Sequence, residues 1–328
     1  MNKMKIVFRC FGLAKGIKYL YYKFIASILK KIYIKYKHIN LLNNMLRVSV
    51  NTTDRMVEDY IYVKYQNIYN KYSNNCDVGV IPEKKIIWTA WLQGISDLPY
   101  AVNLCIESMK KNSGEYEVVI LTLENISKYL KIDESILDLY INKKIKPAHF
   151  ADYLRVRVLS EHGGVWLDAT QYLVDKIPDD VWNYKLIVWN KIEDITGSDS
   201  YVAIPFVKYF NNSFLVGRKN SLFFQLYSEI SEALLTDPIL QIDYFSNFKA
   251  IFAAINHIEI INHQWKDMRI INRYGLITRQ MWNKSITPNM KKIISEKDNF
   301  FFMLTYKKEW IKEIDGRPTI QEYIVRNY

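Results

Sequence analysis

Asp152 and Arg155 stand three residues apart, and a third charged group, Asp168, follows the run Gly163-Gly164-Val165-Trp166-Leu167. A carboxylate and a guanidinium one helical turn apart form a cluster in which one group accepts hydrogen bonds and the other donates them. That pairing suits the gripping of sugar hydroxyls. Asp168 ends a hydrophobic run that reads as a buried strand, so its carboxyl faces the crevice at the strand's carboxyl end rather than solvent. The plainer readings are a surface ion pair of little energy for Asp152 with Arg155, and a turn cap for Asp168. The double glycine and the strand behind it favour a site.

The elements around these residues are legible from pattern. Glycine is scarce, with 11 in 328 residues, and Gly163-Gly164 is the one adjacent pair. Pro147 opens a helix that Gly163 closes, a Pro-start, Gly-stop arrangement. Val165–Leu167 then reads as a short buried strand. Upstream, 85–91 is a β-branched and aromatic run, 98–111 a helix with Pro99 in its first turn, and 117–121 a second strand. Residues 125–130 and 134–141 look helical, while 186–190 and 214–216 are further strands. Strands separated by helices indicate an α/β domain with a mainly parallel sheet. The polar stretch 73–80 marks a boundary, which divides the chain into residues 1–75, a basic amphipathic helical segment, and residues 76–328, the α/β domain.

Charge sharpens that division. The chain carries a net +11, yet Asp54 is its first acidic residue, and residues 1–53 hold all of the excess. A body that is neutral overall argues against a nucleic-acid partner. At 100° per residue, Leu13, Ile17, Leu20, Phe24 and Ile28 share a stripe with Tyr21, Ile25 and Ile32, opposite Lys15, Lys18, Lys23, Lys30 and Lys37. Lys31 and Lys35 interrupt the stripe near its end. Such a helix suits the surface of an anionic bilayer through residues 1–50, or packs its stripe on the protein's own body. No apolar run reaches the length of a membrane span, and lysines break any signal-peptide core. Cys10, Cys76 and Cys105 are scattered, odd in number and read as inert, in keeping with a reducing cytoplasm.

The run from Asp152 through Arg155 to Gly163-Gly164-Val165-Trp166-Leu167-Asp168 resembles the donor site of glycosyltransferase family 32 and of the clostridial glucosylating toxins. It resembles the bacterial capsular polysaccharide synthesis protein family more closely still. That likeness extends to Ile81–Gly94 and Val118–Asn125 and covers residues 80–220 well and the C-terminal third loosely. It implies a GT-A fold with a nucleotide-binding first half. Trp91 would stack on the base of a nucleotide sugar, a UDP-sugar being implied, and Asn125 would sit near base or ribose. His149, Asp152, Arg155 and Gly164 would belong to the donor-sugar side. Asp168 matches the first aspartate of the family's Asp-x-Asp motif and would assist catalysis and metal binding.

One departure stands out. Thr170 replaces the motif's second aspartate, and a neutral oxygen is a weak ligand for the Mg2+ or Mn2+ that the relatives use. Lys307 and Lys308 are the nearest candidates to steady the leaving diphosphate instead. Asn212, in Asn211-Asn212-Ser213, matches the acceptor-side loop and is a candidate catalytic residue, and Asp243-Tyr244-Phe245 matches the capsular relatives without a derivable role. His162 reads as neutralising its helix end, Trp88 as core, and His257 and His263 as structural. The expectation is a transferase moving a sugar, with retention, onto a surface polysaccharide or lipid-linked glycan at the inner face of the plasma membrane. The alternative is a non-catalytic glycan-assembly partner that kept the fold.

Overall fold

The computed structural model describes residues 3–36, 39–193, 195 and 209–328; Lys37, counted above on the basic face of the first helix, lies outside them. Ile86–Ala90 (β1), Glu117–Leu121 (β2), Gly164–Leu167 (β3), Leu186–Trp189 (β5) and Asn211–Gly217 (β6) form the central sheet in the order β2-β1-β3-β6-β5. β1 is parallel to both β2 and β3, and β6 is antiparallel to β3 and β5. Four of the five strands therefore point one way, as a mainly parallel sheet requires. The three central strands, β1, β3 and β6, are covered on both faces, which is why their middles are apolar, while β6 opens on the buried polar residues Asn211, Asn212 and Ser213.

Tyr100–Asn112 (α4), Glu134–Ile141 (α5) and Pro147–His162 (α6) supply the crossovers. Pro147 sits in the first turn of α6, and Gly163 ends the helix at φ 70°. Gly164, at φ 112°, has no room for a side chain, because a Cβ there would stand 2.7 Å from the Ile86 carbonyl oxygen. The double glycine thus lets the chain turn out of α6 and lie flat against β1. A short strand, Gln171–Leu173 (β4), pairs antiparallel with Phe301–Met303 (β7) outside the main sheet. That pairing carries the C-terminal region to the end of β3.

The N-terminal segment is helical, as Lys3–Lys35 (α1, bent at Gly12), Asn40–Lys64 (α2) and Gln66–Ser73 (α3). Val57 and Ile61 of α2 and Ile68, Tyr69 and Tyr72 of α3 lie in the same apolar core as the sheet. α1 turns Tyr19, Ala26 and Leu29 inward, while Leu13, Ile17, Tyr21, Phe24 and Ile28 stay exposed. Leu222–Leu235 (α7) packs on α6, and Ile239–Ile242 (α8) leads to Ser246–His257 (α9), which lies along α2. Lys249 of α9 is buried between Asp54 of α2 at 2.8 Å and Asp243 at 2.6 Å. No helix among the described residues is long and apolar enough to cross a membrane.

Candidate active site

The parallel register of β1 and β3 sets Trp88 beside Trp166, so the two strands end at the same level. Trp91 and Asp168 therefore come out together at the carboxyl edge of the sheet. Antiparallel β6 begins at that same edge, which brings Asn211 and Asn212 to it, and the Asp168 N–H donates to the Ser213 carbonyl at 2.9 Å. Between these ends, α6 and the C-terminal region lies a cleft of about 560 Å3.

Arg155 is the centre of the cleft's floor. Its side chain is almost fully buried, with Nη2 3.1 Å from Asp168 Oδ1 and Nη1 3.4 Å from Asp152 Oδ1. Nη1 also donates to the Asn212 carbonyl at 2.8 Å, while Asn212 Nδ2 donates to Asp152 Oδ1 at 2.8 Å. The guanidinium stacks over Trp166, whose Nε1 donates to Asp168 Oδ1 at 2.7 Å. Burial alone would weaken the charge on Arg155, but Asp168 and Asp152 outweigh it and hold the guanidinium above its ordinary value. Burial pushes the Asp168 carboxyl above the usual carboxylate range, and Arg155 and the Trp166 N–H offset only part of that. The cluster is thus prebuilt, with one carboxylate tuned toward protonation.

The cleft's walls carry rings and cations. Trp91 meets Tyr306 edge to face at 5.3 Å, and Tyr140 and Tyr244 line the far side. Lys146, Arg279 and Lys307 join Arg155 around the two aspartates, so four basic groups face two acidic ones. That excess of two positive charges suits a diphosphate, and burial holds Arg279 below its ordinary value, which an arriving anion would reverse.

Seven of the residues picked from sequence line this cleft: Trp91, Asp152, Arg155, Asp168, Thr170, Asn212 and Lys307. Four do not. Asn125 spends its side chain on its own turn, accepting from Thr122 N–H at 2.9 Å and donating to the Ile120 carbonyl at 2.8 Å. Gly164 is enclosed between β1 and Trp88. His149 is buried behind the cleft with Nδ1 3.9 Å from Asp152 Oδ2, neither ring nitrogen hydrogen-bonded, and its ring against Tyr244. Lys308 is exposed on the rim beside Lys307 and does not line the cleft. His162, read as a helix-end charge, bonds the Tyr129 carbonyl at 2.7 Å. The sequence reading missed Arg279, Tyr306 and Lys146. Lys146 precedes Pro147 at the start of α6, whereas Arg279 and Tyr306 arrive through tertiary contacts, above all the bond from Leu304 N–H to the Thr170 carbonyl at 2.8 Å, which draws 305–307 over the cleft.

A divalent cation finds few protein ligands here. Asp168 Oδ1 is taken by Trp166 and Arg155, which leaves Oδ2 and the neutral Thr170 hydroxyl. Among the described residues no group of three His, Cys, Asp or Glu could hold a metal. Hard cations need more charged oxygens than this, so the residues present do not make a protein-held metal site.

Comparison with known proteins places these observations. The profile of a family described as capsular polysaccharide synthesis protein matches residues 34–323. The chain is similar to O-glycosyltransferase braB of Annulohypoxylon truncatum, 25% identical over 170 residues, which are 47% of this chain and 38% of that protein. It is also similar to glycosyltransferase afumC of Aspergillus fumigatus, 23% identical over 163 residues, 45% of this chain and 40% of that one. The matches thus span about two-fifths of the length of those curated relatives. Among solved structures it is similar to PaToxG Glycosyltransferase, at 15% identity and a TM-score of 0.30, covering 74% of this chain and 94% of the other.

Proposed function

The chain belongs to the capsular polysaccharide synthesis protein family, and on that premise we propose that it is a GT-A-type glycosyltransferase taking its sugar from a nucleotide diphosphate, a UDP-sugar. One observation carries the reading: a buried guanidinium is tied to two carboxylates at the carboxyl ends of β1 and β3, under a cationic and aromatic rim. Trp91 stacks on the base, worth about 1–3 kcal/mol. Lys307 and Arg279 neutralise the diphosphate as it leaves, while Asp152, Arg155 and Asn212 orient the donor sugar. Asp168 sits with them and holds Arg155 in place.

With retention, the bond between the anomeric carbon and the diphosphate oxygen breaks while the acceptor hydroxyl attacks from the same face. The hydroxyl proton passes to the departing diphosphate. The protein's share of this is positioning and charge stabilisation, and no step is assigned to a metal. The acceptor is a surface polysaccharide or lipid-linked glycan. The exposed apolar stripe of α1 and the lysines on its other faces hold the enzyme peripherally on the cytoplasmic face of the membrane.

A screen of nucleotide sugars, with and without Mn2+ and read by release of free nucleotide, tests the proposal. One donor is expected to turn over slowly in the absence of acceptor. Asp152→Asn and Asp168→Asn should each lower that release about a hundredfold, and each should also lower the melting temperature, because it takes one carboxylate from the buried guanidinium. If no donor is hydrolysed or bound, the chain is instead a non-catalytic assembly partner.

A further inference from the structure

A second cavity, of about 430 Å3, lies between the N-terminal helices and the body. Tyr244 and Phe245 belong to its wall and also to the wall of the cleft described above. Tyr244 lies against His149, which in turn stands beside Asp152. Burial and the neighbouring Asp152 push the Tyr244 hydroxyl upward, which marks how near that ring stands to the carboxylates. The two cavities therefore lie on either side of one wall, made by Tyr244 and Phe245.

Its lining carries three lysines against two aspartates, Asp54 and Asp243. Lys23 and Lys30 come from α1, and Lys249 comes from α9. Lys249 is fully engaged by Asp54 and Asp243, and Lys23 reaches Asp243 at 3.4 Å. Among the described residues Lys30 has no such ion-pair partner, and burial together with Lys23 holds its ammonium below the ordinary value, with Asp54 pulling the other way. An ammonium lowered by its surroundings gains from an arriving anion. Lys30 lies about a third of a turn around α1 from the exposed stripe of Leu13, Ile17 and Phe24, on a face that lines this cavity.

We infer that this cavity is the acceptor subsite, and that Lys30, with Lys23, holds a phosphate or diphosphate group carried by the acceptor. The inference rests on the donor-cleft reading only for the word acceptor; the anion site itself stands independently. With the phosphate at Lys30, the acceptor's sugar would extend past Tyr244 toward the donor.

The test is calorimetric titration of the full chain with inorganic pyrophosphate, alone and with UDP present. UDP is expected to fill the donor cleft and leave one pyrophosphate site. Lys30→Ala should weaken that site about tenfold while leaving UDP affinity unchanged, and Lys30→Arg should restore it. Lys307→Ala should weaken UDP and spare the pyrophosphate site. Geranyl diphosphate binding more tightly than pyrophosphate would mean a lipid-borne phosphate; equal affinity would mean a soluble phosphorylated glycan, and both support the site. Pyrophosphate displaced entirely by UDP, or binding unmoved by Lys30→Ala, would overturn the inference. Failure of UDP to bind while the Lys30 effect persists would sink the donor reading instead.

Discussion

Asp168 is the residue on which the acid side of the pH profile should turn. Its carboxyl is raised by burial, with Arg155 and the Trp166 N–H pulling the other way. A raised carboxyl takes up its proton sooner as pH falls. Donor binding should therefore be lost at a higher pH than an ordinary aspartate would give, and should be intact on the alkaline side. Arg155→Gln removes the larger offset and should move the acid limb upward. Trp166→Phe removes only the N–H and should move it less, in the same direction. Donor affinity measured against pH checks both, and a limb that stays put or moves down would show that another group is titrating.

The turn from α6 into β3 is the element that fixes this geometry, and it was the part most legible in the sequence. Pro147, the apolar run of α6, Gly163-Gly164 and Val165–Leu167 are neighbours in the chain, so local stereochemistry alone specifies them. Gly164→Ala tests how strict that specification is. The new Cβ would lie 2.7 Å from the Ile86 carbonyl oxygen and 2.8 Å from Trp88 Nε1, at φ 112°. A loss of about 2–4 kcal/mol is expected, from strain plus displaced packing. Gly114→Ala, at φ 59° with nothing within 4 Å, should lose about 1 kcal/mol. Thermal or urea unfolding compares the two, and equal losses would mean that backbone strain alone matters. Arg279, Tyr306 and the β4–β7 pairing were not legible, because strands at 171–173 and 301–303 find each other through tertiary packing that no local pattern encodes. Asn125 shows the converse: its type fitted a ligand contact, but its side chain closes its own turn.

On the scale of the whole molecule, the division seen in the charge pattern does not separate two cores. α2 and α3 share the sheet's core, and the buried Asp54–Lys249–Asp243 cluster ties α2 to α9 beside the cleft. α1 is thereby held in one orientation, and the amphipathic pattern read from sequence splits into two faces. Tyr19, Ala26 and Leu29 pack inward, so the exposed stripe is not needed for folding. Leu13 is 70% exposed and Phe24 64%, with Lys15 and Lys18 on other faces of the same helix. Each large apolar side chain that entered a bilayer interface would contribute about 1.5–3 kcal/mol, with further attraction from each lysine to anionic lipid. Ile17→Ser with Phe24→Ser should therefore weaken partitioning onto phosphatidylcholine–phosphatidylserine vesicles by more than about tenfold. Melting temperature and nucleotide-sugar binding should stay as in the parent, because neither side chain touches the core or the cleft. Lys15→Glu with Lys18→Glu should weaken binding to these vesicles but leave the weaker binding to pure phosphatidylcholine unchanged, and added salt should mimic that pair. Co-sedimentation with the vesicles reads all of these, and partitioning that is indifferent to the stripe would mean that α1 faces water, not lipid.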